Sequence, residues 1–158
     1  MSLFSCGQKN SPLNVQIGQP LSDIKLKSLT GKDLTLPVKT GKVLIINIWA
    51  TWCGPCRHEM PSLDRLSTLL DNNKFTVIGI SVDDDDHVAR EFLIDRKVTF
   101  KNYLDPAMST ANDYFGIRVF PSTFVISPSG KLLQVIEGWR DWDAPELIKE
   151  LEALSVVE

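Results

Sequence analysis

Cysteine and histidine are scarce in this chain: 158 residues hold three cysteines and two histidines. Three cysteines are too few for the disulfide framework of a small secreted scaffold. One Cys-x-x-Cys is present and a second is absent, so the paired spacing of a structural zinc site is missing. Basic charge is not in excess either, with 17 Lys+Arg against 20 Asp+Glu and a formal net charge of -3, which argues against a nucleic-acid partner. No apolar run approaches the roughly 18 residues that span a membrane. Internal repeats and low-complexity segments are lacking. What remains is an ordinary globular composition, 43% hydrophobic and 23% charged. At this length such a chain makes one domain with its own core.

The N-terminus carries two readings. Met1-Ser2-Leu3 looks like a cloning leader. Leu3-Phe4-Ser5-Cys6-Gly7 resembles the end of a bacterial lipoprotein signal, in which Cys6 would become the lipidated first residue. Cys6 is therefore either a lipid anchor, placing the protein outside the cytoplasm on a membrane surface, or a plain terminal cysteine. Gly, Asn, Ser, Pro and Gln dominate residues 7–19 without periodicity. We expect residues 1–19 to be a tether or loose arm and residues 20–158 to be the folded domain.

Hydrophobic spacing predicts the elements. Ile24, Leu26 and Leu29, then Leu34 and Leu36, flank Thr30-Gly31-Lys32 as a β-hairpin. Residues 43–49 are almost wholly apolar, the mark of a strand buried on both faces. Met60, Leu63, Leu66 and Leu70 recur at helical spacing over residues 55–70, with Pro61 expected to kink that helix. A second buried strand covers 75–82, and an amphipathic helix covers 86–96. Asp105-Pro106 reads as a helix start, as cap and first helical residue, with Gly116 as the end. Strands at 122–127 and 132–137 flank a Pro128-Ser129-Gly130-Lys131 turn, and a helix over 144–154 closes the chain. Strands alternating with helices give an α/β layered domain.

The strand at 43–49 runs straight into Trp49-Ala50-Thr51-Trp52-Cys53-Gly54-Pro55-Cys56. Two cysteines then open a helix. A helix N-terminus presents unpaired N–H groups and partial positive charge, which favour an anion such as a thiolate. A thiol of pKa about 8.5 is about 3% ionised at pH 7; at about 7 it is half ionised, a gain of roughly 15-fold. Part of that gain is returned, since a less basic thiolate is a weaker nucleophile. Cys53 is thus the candidate attacking thiol, and Cys56, one turn on and deeper, the candidate resolving thiol. Gly54 keeps the approach open and Pro55 stiffens the turn. Against this stand a metal site, short of ligands with only His58 and His87 to add, and a structural disulfide whose tiny loop gains little.

The run from Trp49 to Cys56 resembles the thioredoxin active site. The wider pattern resembles the TlpA/ResA/DsbE group of extracytoplasmic thioredoxin-like reductants. It consists of the N-terminal hairpin, Asn47-Ile48-Trp49-Ala50-Thr51-Trp52, an extra helix after Val82 and Phe120-Pro121-Ser122-Thr123-Phe124-Val125-Ile126. The resemblance implies a thioredoxin-like fold, a central mixed sheet flanked by helices with an N-terminal β-hairpin and a helix insertion. It implies a cis Pro121 beside the thiols, with Phe120, Trp52, Gly54 and Pro55 meeting the substrate. It implies a role for Glu59 in thiol ionisation, where a buried carboxyl can pass a proton; the alternative is a solvated helix glutamate. Asn47 stands where cytoplasmic thioredoxins carry a buried aspartate, and an amide cannot take the resolving proton. No cofactor or metal is implied. The implied partners are proteins with disulfides or dithiols and a membrane thiol-disulfide electron donor, for a bacterial, periplasmic or cell-envelope protein acting as a monomer.

Other features weigh less. Asp83-Asp84-Asp85-Asp86 lacks the spaced ligands and glycine of a calcium loop and reads as a capped, solvated helix start. Trp139 and Trp142 read as packing or rim residues. By resemblance the activity is thiol-disulfide exchange in the reducing direction, in cytochrome c maturation. A disulfide oxidant or isomerase shares the chemistry. A thiol peroxidase of the peroxiredoxin type needs Pro-x-x-x-Thr-x-x-Cys, and Ile46 and Ala50 occupy those positions around Cys53. A metal chaperone or a redox-dead binding module is the non-enzymatic alternative.

Overall fold

The computed structural model describes residues 13–156. One seven-stranded sheet forms the centre, in the order β2-β1-β5-β4-β3-β6-β7. β1 (Ile24–Lys27) and β2 (Asp33–Leu36) make the expected hairpin, with Ile24 opposite Leu36 and Leu26 opposite Leu34. β3 (Val43–Trp49) lies at the heart of the sheet, every residue buried. It pairs in parallel with β4 (Phe75–Ser81) and antiparallel with β6 (Ser122–Ile126). β7 (Leu132–Glu137) adds to β6, and β5 (Lys101–Leu104) joins β4 to the hairpin.

β5 is the strand that periodicity missed. Its four residues, Lys-Asn-Tyr-Leu, begin with a charge and are too short to show alternation. The next segment also differs from expectation. Asp105 is not a helix-first cap followed by Pro106. The helical turn starts later, as a wide π-type turn at Thr110–Phe115. Asp105 still serves its open end, accepting from the Thr110 and Ala111 amides at 3.1 and 2.8 Å. Gly116 ends the turn at φ 73°, the left-handed conformation glycine adopts without penalty.

α1 (Gly54–Leu69) packs Cys56, Glu59, Met60, Leu63 and Leu66 inward, an i, i+3/i+4 stripe. Pro61 lies on its exposed side and the helix continues through it unbroken. The proline therefore removes a bond only where water can serve the Arg57 carbonyl. α2 (Asp86–Asp95) is capped by Asp85, which accepts from the His87 amide at 2.9 Å. α3 (Pro145–Leu154) closes the chain. Cys6 lies outside the described residues. Of the expected arm, residues 13–19 are described and they dock on the domain. Val15 is buried, the Asn14 amide donates to the Phe115 carbonyl, and Gly18 and Gln19 exchange bonds with Leu132.

One row of residues explains how the centre accommodates polar groups. Thr123, Asn47, Gly79 and Asn102 stand side by side across β6, β3, β4 and β5. Trp49 donates its indole N–H to Asn102 Oδ1 at 2.9 Å across Gly79. A Cβ at Gly79 would fall 2.0 Å from that oxygen and 2.9 Å from the indole nitrogen. Only glycine leaves room for this bond.

Candidate active site

The exit of β3 is where chemistry becomes available. Cys53 is the N-cap of α1, in extended conformation at φ -93° and ψ 111°. Its Sγ accepts from the Cys56 backbone amide at 3.2 Å. A donor that would otherwise be an orphan of the helix terminus thus points at sulfur. Cys53 and Cys56 are joined in a disulfide, their Cα atoms 5.2 Å apart. The two residues differ in access: Cys53 is 6% exposed and Cys56 0%. A Cβ at Gly54 would meet nothing nearer than the Arg57 guanidinium at 3.9 Å, so the space beside Gly54 is open.

Buried Asp83 anchors the loop that carries Cys53. Its carboxylate accepts from the Thr51 amide at 3.0 Å, the Thr51 hydroxyl at 2.6 Å and the Ser81 hydroxyl at 2.6 Å. This corrects the reading of residues 83–86 as a solvated helix start. Asp84 and Asp85 are exposed, but Asp83 is buried at the end of β4 and ties that end to the cysteine loop. The Arg57 guanidinium fastens the same loop from α1, donating to the Thr51 carbonyl at 2.6 Å.

Among the described residues, several large apolar side chains on the elements that carry the site are exposed. Trp52 is 59% exposed and meets Phe120 edge to face at 5.6 Å. Val119 precedes them, and Trp139 stands 45% exposed against the His58 ring at 4.8 Å. The Phe120-Pro121 bond is cis, and β6 begins immediately after it.

Behind the disulfide the surroundings are polar and sealed. Glu59 is 1% exposed, so it is not a solvated helix residue. Its Oε1 accepts from Asn47 Nδ2 at 2.7 Å; its Oε2 accepts from the Trp142 indole at 2.8 Å and the Arg140 amide at 3.1 Å. Burial raises the Glu59 pKa above its ordinary value, against the opposing pull of the Trp142, Asn47 and Arg140 donors. Asn47 Nδ2 also donates to Thr123 Oγ1 at 3.0 Å, whereas Asn47 Oδ1 is buried without a partner. Glu59 was legible as a candidate and Asn47 as a departure from the cytoplasmic pattern, but the link to Trp142 was not, because 83 residues separate it from Glu59. Among the described residues no cluster of three or more His, Cys, Asp or Glu side chains could hold a metal ion.

The site thus joins a disulfide at the start of the helix that follows a buried strand with a cis proline at the start of the neighbouring strand β6. The AhpC/TSA family matches residues 17–135. The chain belongs to that family. Its cysteine pair and fold place it among the thioredoxin-like thiol-disulfide oxidoreductases. The thioredoxin-like protein YneN of Bacillus subtilis is 29% identical over 129 residues, 80% of this chain and 74% of its own. The thiol-disulfide oxidoreductase ResA of Geobacillus thermodenitrificans is 29% identical over 124 residues, 78% of this chain and 71% of its own. Among solved structures, a Chlorobium tepidum protein provisionally named thiol:disulfide interchange protein DsbE superposes with a TM-score of 0.79. It is 30% identical, over 89% of this chain and 99% of its own.

Proposed function

We propose that the Cys53–Cys56 pair of this thiol-disulfide oxidoreductase works as a reductant of protein disulfides in the bacterial cell envelope. The observation that carries the reading is the asymmetry of the pair, with Cys53 capping the helix at an open mouth and Cys56 sealed beneath it. In the reduced protein the Cys53 thiolate, held by the Cys56 amide and the helix terminus, attacks one sulfur of a substrate disulfide. A Cys53–substrate disulfide forms and one substrate thiolate leaves. The Cys56 thiolate then attacks Cys53 Sγ, the internal disulfide closes, and the second substrate thiolate is released. Two electrons have passed from the protein dithiol to the substrate. A membrane thiol-disulfide donor returns them by the same exchange run backwards.

Cys56 must lose a proton where no water reaches it. Asn47 beneath it has no basic atom to offer. Glu59, one turn along the same buried face, carries a carboxyl whose raised pKa suits it to hold and release that proton. Trp52, Phe120 and the cis Pro121 form the edge on which an extended substrate segment lies, with Gly54 and Pro55 beside the sulfur. Likeness to proteins named ResA and DsbE supports an extracytoplasmic site and a role in cytochrome c maturation, and the Leu3-Phe4-Ser5-Cys6-Gly7 run supports anchoring through a lipidated Cys6. A thiol peroxidase is disfavoured because Ile46 and Ala50 are buried and bring no hydroxyl to Cys53. The potential of the Cys53/Cys56 couple, measured in glutathione buffers, tests the direction. A value near about -270 mV is expected, and one near about -120 mV means an oxidant.

A further inference from the structure

The 138–143 loop does more than pack. It is fastened to α1 at three places: the Trp142 amide donates to Ser62 Oγ at 3.1 Å, Arg65 Nε pairs with Asp143 at 2.7 Å, and Glu59 Oε2 receives both Arg140 N–H and the Trp142 indole. Trp142 is fully buried, so its indole N–H has no water to turn to. Every group hydrogen-bonded to the Glu59 carboxylate is a donor. A proton on Oε1 would therefore meet Asn47 Nδ2 head on. Among the described residues the buried side-chain oxygen without a partner is Asn47 Oδ1, on the same amide. Turning that amide over presents Oδ1 to the protonated acid and to the Thr123 hydroxyl.

We propose that Trp142 is a positioning residue for the exchange reaction: its indole N–H holds Glu59 in the anionic arrangement, and the Asn47 amide turns over when Glu59 takes up a proton. The proposal rests on the reading that Glu59 serves the thiols. The charged surroundings are few. α1 brings Cys56, silent in the disulfide, and His58, whose ring faces Trp139. β3 and β6 bring neutral Asn47 and Thr123. The loop brings the Arg140 guanidinium, whose charge favours the Glu59 carboxylate, while Asp143 is engaged by Arg65.

The test uses Trp142→Phe, which keeps the ring and deletes the donor. The Glu59 carboxyl is titrated by carbon NMR in the oxidised protein, where no thiol interferes. Losing a hydrogen bond to a charged acceptor should raise proton affinity roughly tenfold, moving the Glu59 midpoint upward. The Cys53 thiolate titration of the reduced variant, followed by ultraviolet absorbance, should move with it. An unmoved Glu59 midpoint overturns the proposal. A moved midpoint with an unmoved thiolate curve supports the Trp142 clamp but sinks the reading that Glu59 serves the thiols. The unsubstituted protein gives a check that needs no variant. The Trp142 indole proton resonance should follow the Glu59 midpoint, and that of Trp49, bonded to neutral Asn102, should stay flat. A flat Trp142 resonance also overturns the proposal.

Discussion

The two sides of the disulfide are built from opposite materials. Toward solvent, Trp52 next to Cys53 is exposed and meets half-buried Phe120, and Val119 and Trp139 are exposed as well. Toward the core, Cys56 sits above a sealed polar group of Asn47, Glu59, Thr123 and Trp142. The usual protein arrangement is the reverse, with polar atoms in water and apolar atoms hidden. Exposed aromatics cost solubility, and buried carboxyls cost desolvation. On the function proposed above, each side of the inversion has a use: the apolar rim would grip a passing polypeptide, and the sealed carboxyl would handle a proton away from water. The first acts on which partner binds, the second on how the sulfurs ionise.

That division can be broken from both sides. The largest effect belongs to the sulfurs themselves. Cys53→Ser should abolish reduction of insulin disulfides, and Cys56→Ser should end turnover while trapping mixed disulfides that dithiothreitol releases on gels; full activity of Cys53→Ser would reverse the assigned roles. Next comes the row under the inner side. Gly79→Ala drives a methyl into the Trp49–Asn102 bond and should cost about 1–3 kcal/mol, read as a lowered Tm. An unchanged Tm would mean that the row yields easily.

Glu59→Gln separates proton handling from packing. The folded protein binds the Glu59 proton more tightly than the unfolded chain does, so this residue's stabilisation is complete below the ordinary glutamate value of 4.5. It is lost as pH rises through the raised folded value. Wild-type Tm should therefore fall relative to Glu59→Gln across that window. Parallel Tm curves would show that Glu59 is not raised. The smallest effect is expected at the rim. Trp52→Ala should raise KM for a protein substrate several-fold with kcat nearly unchanged, because it removes contact area made equally before and during exchange. A fall in kcat alone would place Trp52 in the chemistry instead.

Much of this is legible in the sequence alone, for physical reasons. β3 announces itself because a strand buried on both faces must be apolar throughout. The cysteine pair announces itself because a strand running into Cys-x-x-Cys with a proline has few other uses. β5 stayed hidden because four residues beginning with lysine carry no alternation. Asp83 was misread because a run of four aspartates looks uniformly solvated, while folding buries the first against Thr51. Trp142 was read as packing, since sequence spacing cannot show that its indole reaches a glutamate on another element.

The central claim is that Cys53 is the activated, reachable sulfur and Cys56 the protected one. Brief alkylation of the reduced native protein with substoichiometric iodoacetamide, mapped by mass spectrometry, tests it most directly. Label should appear on Cys53 alone and reach Cys56 only after unfolding. Equal labelling of both sulfurs, or preference for Cys56, would contradict the account.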